Sequence, residues 1–154
     1  MAGWLIALGI LMSATALADA PQAVYGANCR HSATAFNCVE YLRNYDGDTI
    51  TVNIPGVPVL IGDEITVRVN GIDAPEIEGR NACERKAAVV AQQTAQELLQ
   101  DAKRIDLRNV QRDKYFRVLA DVYIDGDLLS KILLKEKLAV SYDGGHKELV
   151  DWCP

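Results

Sequence analysis

The sequence is poor in the residues that mark a zinc site. It has two histidines, His31 and His146, and four cysteines, none in a Cys-x-x-Cys pair. Structural zinc ligands come in such close pairs, so this scarcity argues against one. Both histidines lie in polar, turn-like surroundings and are expected at the surface. A basic excess is also missing: 16 Lys and Arg face 21 Asp and Glu, a formal net charge of −5, so no overall basic face announces a polyanion binder. Net charge does not report distribution, and carboxylates can gather at one metal site with Lys and Arg beside them. No internal repeat or low-complexity tract is present, which excludes a repeat architecture.

Charge is absent altogether from Ala2 to Ala18, where WLIALGILM runs into the small-residue stretch SATALADA. This apolar run is shorter than the ~20 residues of a membrane span and ends in Ala-x-Ala sites, so it reads as a signal peptide. Pro21 directly after Ala20 favours cleavage after Ala18. The expected organisation is a signal peptide over 1–18, a polar extension over 19–38 and one domain over 39–154, placed in the periplasm or outside the cell. All four cysteines lie beyond the signal. An even count in an exported chain predicts two disulfides, with three pairings open.

Alternating apolar and polar residues predict strands over 39–42, 49–54 and 64–70. In the last, Ile65, Val67 and Val69 share one face, while Thr66, Arg68 and Asn70 project together away from the core. Ala88, Ala91, Ala95, Leu98, Leu99 and Ala102 recur at helical spacing and predict a long amphipathic helix over 82–103. Strands follow over 105–110 and 117–124, then a helix over 128–138, a turn over 142–145 and a short final helix over 147–152. Many short strands with few helices predict an α+β fold: a five-stranded oligonucleotide-binding (OB) barrel carrying about three α-helices.

Asp-Gly-Asp occurs twice, at 46–48 and 125–127. Near the first, Asp48 and Asp73 both stand at strand-turn junctions, where two carboxylates can share a hard cation such as Ca²⁺. Glu76 is placed to orient or deprotonate a water. Arg68 and Arg117 supply the guanidinium forks that grip a phosphate and neutralise charge developing on it. Asp46 reads as a turn or supporting residue. The second triplet has no such company and reads as a turn, with Asp127 or Ser130 available to cap the following helix.

Taken together, DGDT at 46–49, RVNGIDAPE at 68–76, the Ala-rich helix and DKYFR at 113–117 resemble the staphylococcal nuclease (thermonuclease) family, whose pattern is DGDT, R-x4-D-[TA]-P-E and DKYGR. The resemblance runs from about 45 to 142. It implies a Ca²⁺-dependent, sequence-nonspecific endonuclease acting on DNA and RNA, breaking the 5′ P–O bond and leaving 3′-phosphates. Asp48, Asp73 and the backbone carbonyl of Ala74 would hold Ca²⁺, Glu76 would act on the water, and Arg68 and Arg117 would hold the scissile phosphate. Lys114 and Tyr115 would contact a neighbouring phosphate, and Tyr142 the sugar or base.

Two positions depart from the pattern. Phe116 replaces a glycine, and Ala74 stands where threonine is commoner. The acidic balance predicts few phosphate contacts and hence a preference for single-stranded or open substrates. The protein is expected to be a monomer without stable membrane association after cleavage. A rival reading is an OB-fold nucleic-acid-binding protein that has lost catalysis; such a protein should lack ligands or arginines, and here all five key side chains are present. A secreted metal-binding module is a second rival, and it leaves both arginines without a task.

Overall fold

The computed structural model describes residues 29–147 and 149–153. The expected signal peptide, its cleavage site and residues 19–28 of the extension lie outside that range.

Five strands form the main ladder, in the order β1 (Glu40–Asn44), β2 (Thr49–Asn53), β3 (Ile65–Val69), β6 (Val118–Ile124), β5 (Ile105–Arg112). All neighbours are antiparallel except β3 and β6, which run parallel. The chain leading into β1 carries the ring round: Phe36 and Leu107 exchange backbone hydrogen bonds of 2.9 and 2.8 Å, Val39 N donates to Ile105 O, and Val110 N donates to Thr34 O. With β5 thus bonded to the leader of β1, the two edges meet, which is how a barrel removes exposed strand edges. The inside is filled by Ile50, Val52, Val67, Val69, Leu107, Ala120 and Val122, all almost fully buried. Truncating a large one, such as Leu107, to alanine would cost about 2–5 kcal/mol.

The helix α2 (Ala82–Asp101) buries the predicted stripe of Ala88, Ala91, Ala95 and Leu99. Its start is reciprocally capped. Asn81 accepts from Glu84 N at 2.9 Å, and the Glu84 carboxylate accepts from Arg80 N at 2.9 Å, satisfying donors the helix itself leaves open. A one-turn helix, α1 (Val59–Gly62), follows Pro58. Short strands β4 (Ile72–Asp73) and β8 (Val140–Ser141) pair outside the main ladder, and β7 (Asp127–Leu128) pairs with β6 ahead of α3 (Leu129–Lys135).

Four expectations need correction. The final helix over 147–152 is absent among the described residues there. Asp151 accepts from Cys153 N, a local turn that competes with helical bonding, and a disulfide draws the tail to the start of α2. His31 is half-buried, not exposed on the surface: Nε2 donates to Pro55 O at 2.5 Å, Nδ1 accepts from Asn37 N, and the ring meets Phe36 edge-on. Neither Asp127 nor Ser130 caps α3, whose N-cap is Leu128 without a side-chain hydrogen bond among the described residues. Arg68, expected to project away from the core, is nonetheless 7% exposed, its guanidinium enclosed by Asp48, Asp73 and the Ile72 carbonyl.

The cysteines pair as Cys29–Cys38 and Cys83–Cys153. All four are thereby used, and the zinc alternative falls away. The second bridge spans 70 residues, a loop worth about 4 kcal/mol in the chain-entropy view. Among the described residues, no helix is long and apolar enough to cross a membrane.

Asp106 pins the barrel closure. Its buried carboxylate accepts from Cys38 N and Arg104 Nε, both at 2.9 Å, with Arg108 at 3.7 Å. Burial pushes its carboxyl up, but the hydrogen bonds from Arg104 and Cys38 and the charges of Arg104 and Arg108 outweigh this and hold it below its usual 3.8. A depressed folded-state pKa contributes stability above the unfolded value, lost as pH falls through the folded one. Asp106→Asn is therefore expected to cost about 2 kcal/mol at neutral pH, with the gap to wild type closing below about pH 4. Urea unfolding from pH 3 to 7 checks this; a gap independent of pH refutes the role of the charge.

Candidate active site

The turn between β1 and β2 is built by its own polar groups. Tyr45 N donates to Thr49 O, Asp48 N to the Asp46 carboxylate, and Asn44 Nδ2 to both Asp46 O and Gln92 O, the last tying the turn to α2. Gly47 is required for space. A Cβ there would lie 2.9 Å from Ala74 Cβ and 3.0 Å from Ala91 Cβ, closer than carbon atoms approach. In the second triplet Gly126 serves a different need: it has φ +97° with open space around it, the left-handed conformation that favours glycine. Its neighbour Asp125 accepts from Lys103 N and Arg104 N, joining α2 to β5. The same three letters thus make a packed site in one place and a hairpin in the other.

Close packing at Gly47 brings the Asp48 carboxylate to Ala74 N at 2.5 Å. The other Asp48 oxygen contacts Arg68 Nη1, and Arg68 Nη2 reaches Asp73 at 2.9 Å and the Ile72 carbonyl at 3.2 Å. Arg68 therefore stands between the two aspartates. Burial pulls its guanidinium below the usual range, while Asp73, Asp46 and Glu76 pull it back and Arg117 adds repulsion. Asp46 is itself 7% exposed; burial pushes its carboxyl up, against the attraction of Arg68 and hydrogen bonds from Thr49.

Lys147 joins this cluster from the C-terminal segment, with Nζ 2.8 Å from both Asp73 and Glu76. Burial lowers its pKa, but the hydrogen bonds and charges of those two carboxylates outweigh this and raise it. Sequence reasoning missed Lys147. Its signal lay in the pairing of Cys83 with Cys153, which brings the C-terminal tail back beside Glu76, and that pairing is not readable from spacing.

The opposite wall is the turn from β5 into β6. Asp113 accepts from the backbone N–H groups of Tyr115 and Arg117 and takes Arg117 Nε at 2.8 Å. Partial burial opposes ionisation there, yet these bonds hold the Asp113 carboxyl below its ordinary value. Arg117 is thus oriented by its own turn. Its guanidinium and Lys114 Nζ each lie 5.5 Å from the Tyr115 ring centroid. Lys114 also reaches across to the carbonyls of Gly144 and Gly145 at 3.4–3.5 Å, and Tyr142 OH donates to Gly145 O. Between the walls lies a cleft of about 800 Å³.

Of the nine residues expected at the site, Asp48, Arg68, Glu76, Lys114, Tyr115, Arg117 and Tyr142 line this cleft. Asp73 and Ala74 sit behind its wall, linked to it through Arg68, Lys147 and Asp48. Among the described residues, no three acidic, His or Cys side chains converge on a single metal position; cations stand between the carboxylates instead. The donor set nevertheless suits a hard divalent ion. Asp46, Asp48, Asp73 and Glu76 gather around Arg68 and Lys147, a formal excess of two negative charges, while the nearby Arg117 is paired with its own Asp113. All available donors are oxygens, the ligands Ca²⁺ takes.

Gly47→Ala is expected to cost about 1–3 kcal/mol through overpacking and to push Asp48 off the Ala74 amide, weakening the site. Gly126→Ala, which strains only the backbone, should cost roughly 1–2 kcal/mol and leave the site intact. Denaturant unfolding together with divalent-ion titration compares the two. Equal effects of both substitutions on ion binding would contradict the packing argument.

The family model for staphylococcal nuclease homologues matches residues 66–150, more than half of the chain. Two curated relatives from Bacillus subtilis (strain 168) are similar over 99 residues, 63% of this chain: endonuclease YncB at 37% identity and SPbeta prophage-derived endonuclease YokF at 38%. The matched stretch spans 44% and 31% of those two proteins, so each is longer than the shared domain. The family match covers β3 with Arg68, the loop with Asp73 and Glu76, the hairpin with Arg117 and the strap with Lys147. The chain belongs to the staphylococcal nuclease homologue family.

Proposed function

We propose that the protein is an exported endonuclease that hydrolyses phosphodiester bonds of DNA and RNA without sequence specificity, using Ca²⁺. The observation that carries this reading is one cleft lined by two guanidiniums, Arg68 held between Asp48 and Asp73 and Arg117 anchored by Asp113, beside an oxygen-rich cluster short of positive charge. Two disulfides support an oxidising compartment, where such bonds persist, and the relatives named endonucleases support the reaction class.

Asp48, Asp73 and the Ala74 carbonyl are the groups to hold the ion. When bound it supplies charge neutralisation and Lewis acidity toward a phosphoryl oxygen. Arg117, steadied by Asp113, binds the scissile phosphate with its remaining donors. Arg68 now spends both terminal nitrogens on Asp48 and Asp73; with those carboxylates otherwise satisfied, its donors become available to the same phosphate. Glu76, half-exposed at the cleft, accepts the proton of the attacking water as its oxygen bonds to phosphorus in line. The P–O5′ bond breaks with its electron pair going to O5′, which takes a proton from solvent in the open cleft, leaving a 3′-phosphate and a 5′-hydroxyl. Lys114 and Tyr115 take the adjoining phosphate, and Tyr142 packs against sugar or base. The cleft is lined by residues of this chain, which suits action as a monomer.

Cleavage of single-stranded and duplex DNA with Ca²⁺, with Mg²⁺ and with chelator tests the reading. Arg117→Ala and Glu76→Ser should each lower the Ca²⁺-dependent rate by about 100- to 1000-fold, the loss typical of deleting one group that stabilises the transition state. Chelation should abolish cleavage. A folded wild-type protein that binds DNA and leaves it intact would instead support the inactive OB-fold binding protein.

A further inference from the structure

Phe116 combines two unfavourable features that nothing inside the protein offsets. Its backbone is left-handed, at φ +64°, where an aromatic residue is strained and glycine is at ease. Its side chain is 82% exposed, so little burial is left to compensate. The turn does not need a side chain here: it is held by Phe116 N on Asp113 O, by Asp113 N on Arg117 O and by the Asp113 carboxylate. Strain with exposure at one residue points outward, to something the ring meets from solvent.

The surroundings say what that is. Residues 103–124, which include both strands of the hairpin, hold six Lys and Arg against three Asp, a local charge of +3 in a chain of −5. Arg112 reaches past the turn to Phe116 O at 2.7 Å, and Arg117 is the next residue. Tyr115, at the cleft rim, has Lys114 and Arg117 near its ring; no cation is placed over Phe116 among the described residues. An uncommitted aromatic face beside phosphate-binding cations is the combination that receives single-stranded nucleic acid, in which bases stack on the ring while the backbone follows the charge.

We propose that Phe116 is a specificity-determining residue that stacks on an unpaired base of the strand whose phosphate Arg117 holds, so the enzyme favours single-stranded or frayed substrate. In a duplex the base faces are stacked on one another and out of reach. This rests on the nuclease reading above, and the experiment separates the two.

In the full-length protein with Ca²⁺, kcat/KM is measured on a single-stranded oligonucleotide, the same strand in a duplex, and the same strand with abasic nucleotides around the cleavage position. Phe116→Gly should lose about tenfold on the single strand and much less on the duplex. It should also melt at the same temperature as wild type or a few degrees higher, since the strain is relieved. Phe116→Trp should keep the preference. On the abasic strand the wild type should lose its advantage over Phe116→Gly. An unchanged single-strand to duplex ratio in Phe116→Gly, with a cutting wild type, overturns the stacking role alone. A lowered Tm with equal losses on both substrates marks Phe116 as structural and overturns it too. A wild type that neither binds nor cuts any of the three overturns the nuclease reading, and the inference with it.

Discussion

A buried arginine must have anions around it, and anions brought that close must have a cation. Arg68 sits on the middle strand of the ladder, its guanidinium almost fully out of water, with Asp48 on one side and Asp73 on the other. These three residues come from separate parts of the chain: the β1–β2 turn, β3 and β4. Removing one member of a buried pair typically costs about 3–5 kcal/mol, because the other charge is stranded. The cluster therefore locks the loops that form it, and its geometry cannot be loosened without loosening the fold. The same constraint sets the chemistry. Holding Asp46, Asp48, Asp73 and Glu76 near one another leaves more negative charge than Arg68 and Lys147 neutralise, and the divalent ion proposed for the site would complement that excess.

Two tethers hold the rest of the molecule to this centre. At the N-terminal side, the leader of β1 lies along β5, and Asp106 secures it by accepting from Cys38 N. At the C-terminal side, the Cys83–Cys153 bridge fastens the tail beside the start of α2, and Lys147 and the glycine carbonyls meet Glu76 and Lys114 across the cleft. The cleft is thus walled by a hairpin on one side and a stapled strap on the other. A disulfide acts chiefly by restricting the unfolded chain, but here it also limits how far Lys147 can travel from the carboxylates.

Much of this was legible in the residues. The helical stripe of α2 and the alternation of β2, β3 and β6 mark buried faces, and the three motifs name six side chains that line one cleft, with Tyr142 beyond them as a seventh. What stayed hidden shares a physical cause: local pattern reports which face a side chain takes, and not what later covers that face. Alternation sends Arg68 off the core face, yet Asp48 of the β1–β2 turn and Ile72 and Asp73 of β4 close around its guanidinium. His31 lies in a polar stretch, yet Pro55 comes to it from 24 residues away and Phe36 folds back against its ring. The polar tail at 147–152 looked able to form a helix, and a disulfide partner 70 residues away draws it out straight. Gly47 and Gly126 occupy the same triplet, and only tertiary contact distinguishes a glycine needed for room from one needed for its backbone.

The distribution of charge resolves the apparent conflict between an acidic chain and the polyanionic substrate proposed for it. Long-range repulsion from the net charge of −5 is screened within roughly 10 Å at physiological salt, so what a bound strand meets is the local surface. That surface is divided: carboxylates lie deep in the cleft, paired with Arg68 and Lys147, and the hairpin carrying Arg112, Lys114 and Arg117 stands at its edge. Few cations are available to neutralise phosphates, and affinity from counterion release scales with their number. Contacts that do not depend on charge must then supply more of the binding. Tyr115 and Phe116 are exposed at the tip of that same hairpin, and the stacking proposed for Phe116 would supply such a contact where the backbone alone would be more comfortable with glycine.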